Sequence, residues 1–429
     1  MHFVKKLLKS FLPQSILDQI NLQYHLTLAF VGALLYRFPS KGMVVVAVTG
    51  TKGKTSTTEF VHAIFEEAGL KTALLNTIRF KVGTESKPNR LKMTMPGRFF
   101  VQKFLFDAKK AGVTHAVIEM TSEGAKQSRH RFIEIDALLF TNLTPEHIES
   151  HGSFEAYRDA KLKIKEVVSK SKKRPRILVA NVDDLNGKLF LEGDVEKKIP
   201  YGLTSLSEYT ATEKGISFLW KGVHITSKLP GKFNAENILG AAELSYALGI
   251  PPEVVKTAID KLALIPGRAE EINEGQSFLA VVDYAHTPES LTALYETYGK
   301  NHPLICVLGN TGGGRDTWKR PEMGKIAERY CKEVILTNED PYDEDPRKII
   351  EDMSDGMKRA PEIILDRRTA IKEALLRARA GDAVLITGKG TDPYIMGPKG
   401  TRKMWSDSRV VRDELLRLAE KNERDTMHI

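Results

Sequence analysis

One short segment constrains the fold of this chain more than any other. Residues Met43 to Val48 form an apolar run, which is typical of a buried parallel strand, and the turn Gly50-Thr-Lys-Gly-Lys-Thr55 follows almost directly. A helix is predicted from about Thr55 to Ala68. This order of strand, glycine-rich turn and helix directs backbone N–H groups and a helix N-terminus towards one anion. The segment therefore predicts a phosphate-binding loop.

The residue types in this turn favour a nucleotide over other anions. In such a loop Lys54 reaches the β- and γ-phosphates and Thr55 ligates Mg²⁺. The strict form of the motif has glycine at position 48, where this chain has Val48. The alternative is a glycine-rich turn with a surface lysine. The succession of strand, turn and helix favours mononucleotide binding.

The composition excludes several classes of protein. The chain has 429 residues, enough for roughly two to four domains. With 41% hydrophobic and 28% charged residues it is typical of a soluble globular protein, not a disordered or fibrous one. Two cysteines, Cys306 and Cys331, are too few for a disulfide framework or a four-cysteine zinc site, and they favour a reduced, cytosolic setting.

The charge balance favours anionic partners without choosing among them. The 64 lysines and arginines minus the 55 acidic residues give a net charge of +9. The densest basic run, residues 170–176, contains no aromatic residue to interleave with its charges. We therefore expect a solvated surface loop there, and no nucleic-acid partner.

Apolar strands alternate with helical stretches along most of the chain, which predicts an α/β protein with mostly parallel sheets. Short β strands with turns are predicted over residues 205–230, and Pro266-Gly267 is a candidate hinge. We expect a central P-loop-type domain over residues 41–266 and a C-terminal Rossmann-like α/β domain over 267–429. The further predicted strands are Ala116–Met120, Ala137–Phe140, Ile177–Ala180, Leu279–Val282, Leu304–Leu308, Glu333–Thr337 and Ala383–Thr387.

Residues 1–40 differ from the rest and predict N-terminal helices. The stretch from Phe3 to Ile20 is a basic amphipathic pattern, and Leu26 to Tyr36 is an apolar run too short for a bilayer, which needs about 20 residues. A signal peptide is disfavoured because no A-x-A cleavage site follows. A helix packed on its own domain is slightly favoured over a peripheral membrane contact through residues 1–36.

Polar clusters follow the predicted strands of the central domain. They are Glu119 with Thr121-Ser122, the segment Thr141 to His147, and the segment His151 to Lys161. Because ligands gather at the carboxyl ends of parallel strands, we expect these side chains to converge. Glu119, directly after a strand, suits Mg²⁺, although each residue alone could be structural.

With these motifs the chain resembles the Mur ligases, and most of all the MurE-type enzymes. Those enzymes add the third amino acid to the UDP-N-acetylmuramoyl-dipeptide precursor of peptidoglycan. The resemblance extends from residue 43 to about 415, and its motifs occur in the family's order. They include Phe140-Thr-Asn-Leu-Thr-Pro-Glu-His147, Gly231-Lys-Phe-Asn234-Ala-Glu-Asn237, Pro266-Gly-Arg268-Ala-Glu270 and Val282-Asp283-Tyr-Ala-His286-Thr-Pro288.

The resemblance implies ATP and two Mg²⁺ ions as cofactors, and a muramoyl-peptide, linked to UDP or to a lipid, together with an amino acid as substrates. It implies an acyl phosphate as the intermediate. The implied catalytic residues are Lys54, Glu119, His147 and Lys161. The metal ligands would be Thr55, Glu119, His147 and Lys161, the last as a carbamate. The implied ATP-binding residues are Gly50, Thr51, Lys52, Gly53, Lys54, Thr55, Ser56, Asn234, Asn237, Arg268 and Asp283. The implied substrate-binding residues are Thr94, Thr121, Gln127, Arg129, His286, Arg315, Asp340, Tyr342, Gly388 and Asp392.

Two departures from the family pattern carry information. Diaminopimelate-adding enzymes have Asp-Asn-Pro-Arg where this chain has Glu339-Asp340-Pro341-Tyr342. A tyrosine cannot replace an arginine that clamps a carboxylate, and Asp340, Asp343, Glu344 and Asp345 would favour a cationic side chain. Lysine or ornithine is therefore expected, unless this acidic loop is only a solvated turn.

The second departure is at the start of the chain. MurE-type enzymes begin with a uridine-binding domain of about 100 residues, whereas 49 residues precede Gly50 here. The acceptor is then held through its sugar and peptide, or it is lipid-linked. We expect a cytoplasmic monomer, with association to the cytoplasmic membrane face as the alternative. The alternative functions are a folylpolyglutamate synthase-, cyanophycin synthetase- or MurT-like ligase, or a non-catalytic nucleotide-binding protein.

Overall fold

The computed structural model describes residues 14–427, so most of the amphipathic pattern predicted from Phe3 lies outside the described part of the chain. The helices are α1 Gln14–Leu35, α2 Lys54–Glu67, α3 Arg98–Lys110, α4 Ser122–Lys126, α5 Ile148–His151, α6 Phe154–Ser169, α7 Gly187–Leu191, α8 Lys232–Ala247, α9 Pro252–Lys261, α10 Pro288–Gly299, α11 Lys319–Tyr330, α12 Pro346–Ser354, α13 Arg367–Arg377 and α14 Asp407–Met427.

The strands are β1 Val44–Thr49, β2 Thr72–Leu75, β3 Arg79–Val82, β4 Glu85–Pro88, β5 His115–Glu119, β6 Ala137–Phe140, β7 Ile177–Asn181, β8 Lys197–Tyr201, β9 Tyr209–Thr212, β10 Gly215–Trp220, β11 Val223–Ser227, β12 Glu270–Glu271, β13 Leu279–Val282, β14 Leu304–Leu308, β15 Cys331–Leu336, β16 Glu362–Ile363, β17 Ala383–Ile386, β18 Tyr394–Met396 and β19 Arg402–Met404. Short 3₁₀ turns occur at Pro39–Gly42, Leu203–Ser205 and Pro398–Gly400.

The chain forms two compact units. The first contains residues up to Thr144, Ser153–Ser205 and Asn237–Ala258, and the second contains Pro145–Gly152, Leu206–Glu236 and the residues from Ile259 onward. The predicted division of the chain at residue 266 stays a prediction.

The first unit is built on an eight-stranded sheet in the order β4-β3-β2-β5-β1-β6-β7-β8. All neighbours from β2 to β8 pair in parallel, and only β3 and β4 are antiparallel. Strand β1 lies in the middle, and Val45 to Val48 are fully buried on both faces. An apolar run without alternation is what such a central parallel strand requires, and the predicted α/β fold is confirmed.

Helix α1 packs one narrow face against the first unit. The small residues Ala29, Gly32 and Ala33 lie on this face, and a Cβ atom on Gly32 would lie 3.4 Å from the Phe99 ring. The opposite face leaves large apolar side chains exposed: Ile16, Ile20, Tyr24, Val31 and Leu34. Among the described residues, none of the helices has the length and hydropathy that a membrane span requires.

The second unit contains a six-stranded sheet in the order β12-β13-β17-β14-β15-β16, parallel except at β12. The antiparallel sheet β11-β10-β9 and the hairpin of β18 and β19 complete its strands. The predicted short strands over residues 205–230 are therefore confirmed.

Two local expectations differ from the structure. Cys306 of β14 and Cys331 of β15 are joined by a buried disulfide, whereas the sequence favoured reduced cysteines. In the basic run, Lys173 donates to Asp136 at 2.6 Å and Arg176 binds Glu196, so these two side chains are not solvated. Sequence separation hid both arrangements, because each partner lies on a different strand or loop.

A buried ion pair links the first residues of α13 and α14. The Arg367 guanidinium donates to both carboxylate oxygens of Asp407, at 2.8 and 2.7 Å, and the two side chains are 1% and 0% exposed. The Trp405 indole N–H also donates to Asp407.

We expect Asp407→Asn to lower the unfolding free energy of the second unit by about 3–5 kcal/mol, because it leaves the Arg367 charge buried without its partner. Urea denaturation of the whole chain measures this loss. The matched control is Arg412→Gln, which breaks the exposed Arg412–Glu274 pair and should cost about 1 kcal/mol or less. Equal losses for both variants would contradict the importance of the buried pair.

Candidate functional site

The predicted phosphate loop lies between β1 and α2. Gly53 is the residue before the first turn of α2 and has a φ of 78°, a conformation that favours glycine. A Cβ atom on Gly53 would lie 2.1 Å from the Asn237 side-chain oxygen, and one on Gly50 would lie 1.9 Å from the Thr141 hydroxyl. Gly50 also has a positive φ, of 151°, so the loop needs glycine at both positions for its backbone conformation and for close approach.

The segment after β6 holds the loop in place. The N–H groups of Thr51 and Lys52 donate to the Asn142 carbonyl and side-chain oxygens, both at 2.8 Å. The Thr141 hydroxyl donates to the Lys52 carbonyl at 2.6 Å. Lys54 folds back over the loop, and its ammonium donates to the Thr51 carbonyl at 2.8 Å.

A hydroxyl and a carboxylate meet at the start of α2. The Thr55 hydroxyl donates to Glu119 Oε2 at 3.0 Å, and both side chains are buried. The same oxygen accepts hydrogen bonds from the N–H and the hydroxyl of Thr77, each at 2.9 Å. Oxygen donors of these two kinds are the ligands that Mg²⁺ prefers, so Thr55 and Glu119 fit such an ion.

Lys161 lies beneath the loop. Its ammonium donates to the Gly50 carbonyl at 2.6 Å and lies 4.7 Å from the centre of the Tyr157 ring. The Tyr157 hydroxyl is 3.0 Å from the Thr51 hydroxyl. Lys161 is therefore held against the loop by α6, where the sequence placed it. Ser56 is buried in the first turn of α2, and the Thr57 hydroxyl donates to Asn237.

The predicted acceptor residues lie on the same unit. Thr94 contacts the Thr77 hydroxyl at 2.8 Å, and the Thr121 hydroxyl accepts the N–H of Gly124 at the start of α4. Gln127 accepts a hydrogen bond from the Arg129 guanidinium at 2.8 Å. Thr77 thus links the acceptor residues to Glu119.

The remaining predicted residues belong to the second unit, together with His147. The His147 N–H donates to Asp316 at 2.6 Å, and the residue has a positive φ of 58°. His286 lies between the Tyr284 carbonyl, 2.7 Å from Nδ1, and Glu146, 3.1 Å from Nε2.

Arg268 and Asp283 lie close together near β13. The Asp283 carboxylate accepts the N–H groups of Ala269 and Ala285, both at 2.6 Å. The Arg268 guanidinium lies 4.4 Å from the centre of the Tyr284 ring. Asn234 is buried and donates to the Pro230 carbonyl, and its side-chain oxygen has no hydrogen-bond partner among residues 14–427. Such an oxygen fits a ligand that donates a hydrogen bond.

A buried ammonium organises the predicted amino-acid site. Lys389 donates to both oxygens of Asp340 at 2.9 Å and to Asp392 at 3.0 Å. Two carboxylates and one ammonium leave a formal charge of −1 on this cluster. Burial, followed by the neighbouring Asp340, raises the pKa of Glu339, which lies against Gly388.

The other acids of this loop also have protein partners, which the sequence did not reveal. Asp343 accepts the N–H of Lys399, Glu344 pairs with Arg320, and Asp345 caps α12. The preference for a cationic substrate therefore depends on the Lys389 cluster alone, and it stays a prediction. Tyr342 has a φ of 53° and packs against the loop at Gly313, while Arg315 is exposed.

Sequence reasoning missed Thr77, Tyr157, Lys389 and Asp316. Thr77 follows the end of β2 and Glu119 is the last residue of β5, so the position at a strand's carboxyl end that singled out Glu119 could have found Thr77. Lys389 directly follows Gly388, which the family resemblance implies at the amino-acid site. Tyr157 lies within the polar segment His151 to Lys161, and Asp316 directly follows Arg315, but neither residue was assigned a role of its own.

Comparison with known proteins gives two family matches. Residues 48–245 match the Mur ligase middle domain, and residues 267–390 match the Mur ligase glutamate ligase domain. A diaminopimelate ligase of Syntrophomonas wolfei, named UDP-N-acetylmuramoyl-L-alanyl-D-glutamate--2,6-diaminopimelate ligase, is 36% identical over 406 residues, which are 91% of this chain and 81% of the relative. A UDP-N-acetylmuramyl-tripeptide synthetase of a Roseiflexus species is 35% identical over 423 residues, covering 91% and 82%.

Solved structures agree with these matches. A structure of a UDP-N-acetylmuramoyl-L-alanyl-D-glutamate--2,6-diaminopimelate ligase superposes with a TM-score of 0.60 at 29% identity, covering 88% of this chain and 79% of that one. Folylpolyglutamate synthase of Mycobacterium tuberculosis reaches a TM-score of 0.67 at 14% identity, covering 87% and 97%. At that identity the second similarity concerns the fold alone.

Gly53→Ala tests the loop directly. We expect it to weaken ATP binding at least about tenfold, because the added methyl overlaps Asn237 and the backbone conformation is strained by about 1–2 kcal/mol. Titration with a fluorescent ATP analogue measures the affinity. The matched control is Gly69→Ala, whose φ of 74° is similar but whose Cβ atom would meet nothing within 4 Å. If both variants bind ATP equally well, this loop does not hold the nucleotide.

Proposed function

The chain belongs to the Mur ligase family, whose members are ATP-dependent amide ligases, and we propose that it joins an amino acid to the peptide carboxylate of a muramoyl-peptide in peptidoglycan precursor synthesis. The observation that carries the proposal is the arrangement at the phosphate loop. Lys54, the Thr55–Glu119 pair and Lys161 all lie within hydrogen-bond distance of the loop or of one another.

In the proposed reaction the loop N–H groups and Lys54 bind the phosphates of ATP. Thr55 and Glu119 would hold one Mg²⁺. For a second Mg²⁺ the family resemblance implies His147 and a carbamylated Lys161 as ligands. Such ions supply charge neutralisation on the phosphates. An acceptor carboxylate oxygen attacks the γ-phosphorus and ADP leaves. The amine of the amino acid then attacks the acyl carbon, loses a proton and forms the C–N bond as orthophosphate leaves.

For the amino acid we propose lysine or ornithine. The supporting observation is the Lys389 cluster, in which Asp340 and Asp392 share one ammonium. A cationic side-chain end would balance the remaining negative charge. Position 342, where diaminopimelate-adding enzymes have an arginine, carries Tyr342, which cannot clamp a second carboxylate.

For its location we propose the cytoplasm, as a monomer that contacts the membrane surface through α1. The exposed face of this helix carries Ile16 and Ile20 near its start and Val31 and Leu34 near its end. A helix with such a face binds at a lipid interface by burying these side chains. The residues before α1 add Lys5, Lys6 and Lys9 to the sequence, which favours anionic lipid. The carrier of the acceptor is proposed to be UDP or a lipid.

An ADP-release assay with product masses tests the reaction. The acceptor is UDP-N-acetylmuramoyl-L-Ala-D-Glu, and lysine, ornithine, diaminopimelate and alanine are supplied in turn. We expect ligation with lysine or ornithine, and Lys54→Ala should lower the rate at least about a hundredfold because it removes transition-state charge stabilisation. The exposed Lys110→Ala is the control. Normal ligation by Lys54→Ala would refute the assignment of the loop.

Co-sedimentation with vesicles tests the membrane contact. The wild type should bind vesicles that contain phosphatidylglycerol. Val31→Ser with Leu34→Ser should weaken binding at least about a hundredfold, because the two side chains together lose about 3–6 kcal/mol of burial. Leu185→Ser is the control, since Leu185 is 98% exposed outside α1. Equal binding by all three proteins would contradict a contact through this face.

A further inference from the structure

Two guanidinium groups meet beside the N-terminal helix. Arg98, the first residue of α3, directs Nη2 to His25 Nδ1 of α1 at 2.5 Å and to the Gln127 carbonyl at 3.3 Å. Arg129 donates from Nη2 to the side-chain oxygen of Gln127 at 2.8 Å and from Nη1 to the Met95 carbonyl. Gln127 thus lies between the two arginines.

Within residues 14–427 the Glu123 carboxylate attracts Arg129 electrostatically, and no carboxylate acts on Arg98 in the same way. Neither Arg98 nor Arg129 forms an ion pair with a carboxylate there, and the Nε atom of each is buried without a hydrogen-bond partner. Burial lowers the pKa of both groups. The charge of Arg98 lowers the pKa of Arg129 further, and the Glu123 carboxylate partly opposes this shift. The Glu123 carboxylate accepts a hydrogen bond from the Gln127 side-chain amide at 2.6 Å.

Two neighbouring, partly buried guanidinium groups that share one nearby carboxylate keep an excess positive charge, which a bound anion would stabilise. Arginine is the side chain best suited to a phosphate, because its planar fork donates two parallel hydrogen bonds. Helix α3 has 13 residues, and Gly97 before it provides no side-chain cap, so its first N–H groups add positive potential at Arg98.

We propose that Arg98 and Arg129, with His25 positioning Arg98, bind the diphosphate that links the acceptor's sugar to its carrier. This inference rests on the proposed function and identifies the part of the acceptor that this site recognises. Both proposed carriers are attached through a diphosphate, so the chemistry at the two arginines is the same for a nucleotide and for a prenyl lipid.

The surroundings of Arg98 favour the prenyl carrier. Phe99, the next residue, is 37% exposed, and the loop that contains Thr94 exposes Leu91 and Met93. Helix α1, which contacts Arg98 through His25, carries the exposed apolar face described above. A hydrocarbon chain gains free energy on such a surface, whereas a uridine needs hydrogen-bonding partners.

Direct binding tests the site without turnover. The whole chain is first saturated with Mg²⁺ and a non-hydrolysable ATP analogue, so that the phosphate loop is occupied. Farnesyl diphosphate, UDP and the dipeptide L-Ala-D-Glu are then titrated separately by calorimetry. We expect farnesyl diphosphate to bind, and Arg98→Gln to weaken this binding by about 10- to 100-fold, since a hydrogen bond to a charged group is lost.

The matched control is Lys103→Gln, which removes a cation from the exposed side of the same helix and should leave the affinity unchanged. Farnesol, which has no phosphate, should bind wild type and Arg98→Gln equally weakly. An unchanged melting temperature for Arg98→Gln shows that the loss is not caused by unfolding.

Three results would overturn the proposal. If UDP binds in an Arg98-dependent way and farnesyl diphosphate does not, the prenyl carrier is refuted. If Arg98→Gln weakens only the binding of the dipeptide, the assignment of the site to a diphosphate is refuted. No Arg98-dependent binding of any probe would refute the site itself. A chain that binds farnesyl diphosphate through Arg98 but ligates no amino acid would contradict the proposed reaction and leave this site intact.

Discussion

The first unit depends on the hydrogen bonds between the loop after β1 and the segment after β6. A loop that exposes backbone N–H groups to an anion cannot satisfy them with its own carbonyls, and it keeps its shape only if neighbouring groups hold it. Asn142 holds the loop by accepting hydrogen bonds from two of its N–H groups, and the Thr141 hydroxyl donates to one of its carbonyls. Two glycines allow the neighbouring side chains to approach closely enough. The parallel order β5-β1-β6 brings these segments to one edge of the sheet.

The charged groups beside this loop are each held in position by neighbouring polar or aromatic side chains or by backbone. Glu119 receives hydrogen bonds from Thr55 and Thr77, so its carboxylate is oriented before any ligand binds. Lys161 is oriented by Gly50 and Tyr157. Groups that are already oriented lose little entropy when a charged ligand arrives, which is the basis of electrostatic preorganisation. The second unit uses the same device at Lys389, whose ammonium is shared by two carboxylates.

Helix α1 has one face that packs against the first unit and another face that exposes apolar side chains. Its packed face consists of small residues, which allow close contact with α3, and it contributes His25 to the environment of Arg98. Its other face leaves apolar side chains in contact with water, at a cost in free energy. A helix that only completed the core would not need such a face. The lipid surface and the prenyl diphosphate proposed above each explain it.

The amino-acid sequence by itself determined the α/β class and several central strands, but not β2, β3, β4 or β8. The strands Ala137–Phe140, Leu279–Val282 and Leu304–Leu308 were predicted with the bounds that the structure shows, because short apolar runs between polar residues have few other solutions. The phosphate loop followed from its glycines and its place between strand and helix.

Tertiary structure alone decided which polar groups meet. Thr77 and Glu119 lie at the ends of two different strands and are joined by a hydrogen bond. Lys389 and Asp340 likewise follow different strands of the second unit. Arg98 donates to the Gln127 carbonyl, which is 29 residues away in the sequence. The acids of residues 340–345 looked available in the sequence, but folding gave each of them a protein partner. Local patterns encode burial and periodicity, whereas the pairing of charges depends on strand order and packing, which one sequence does not display.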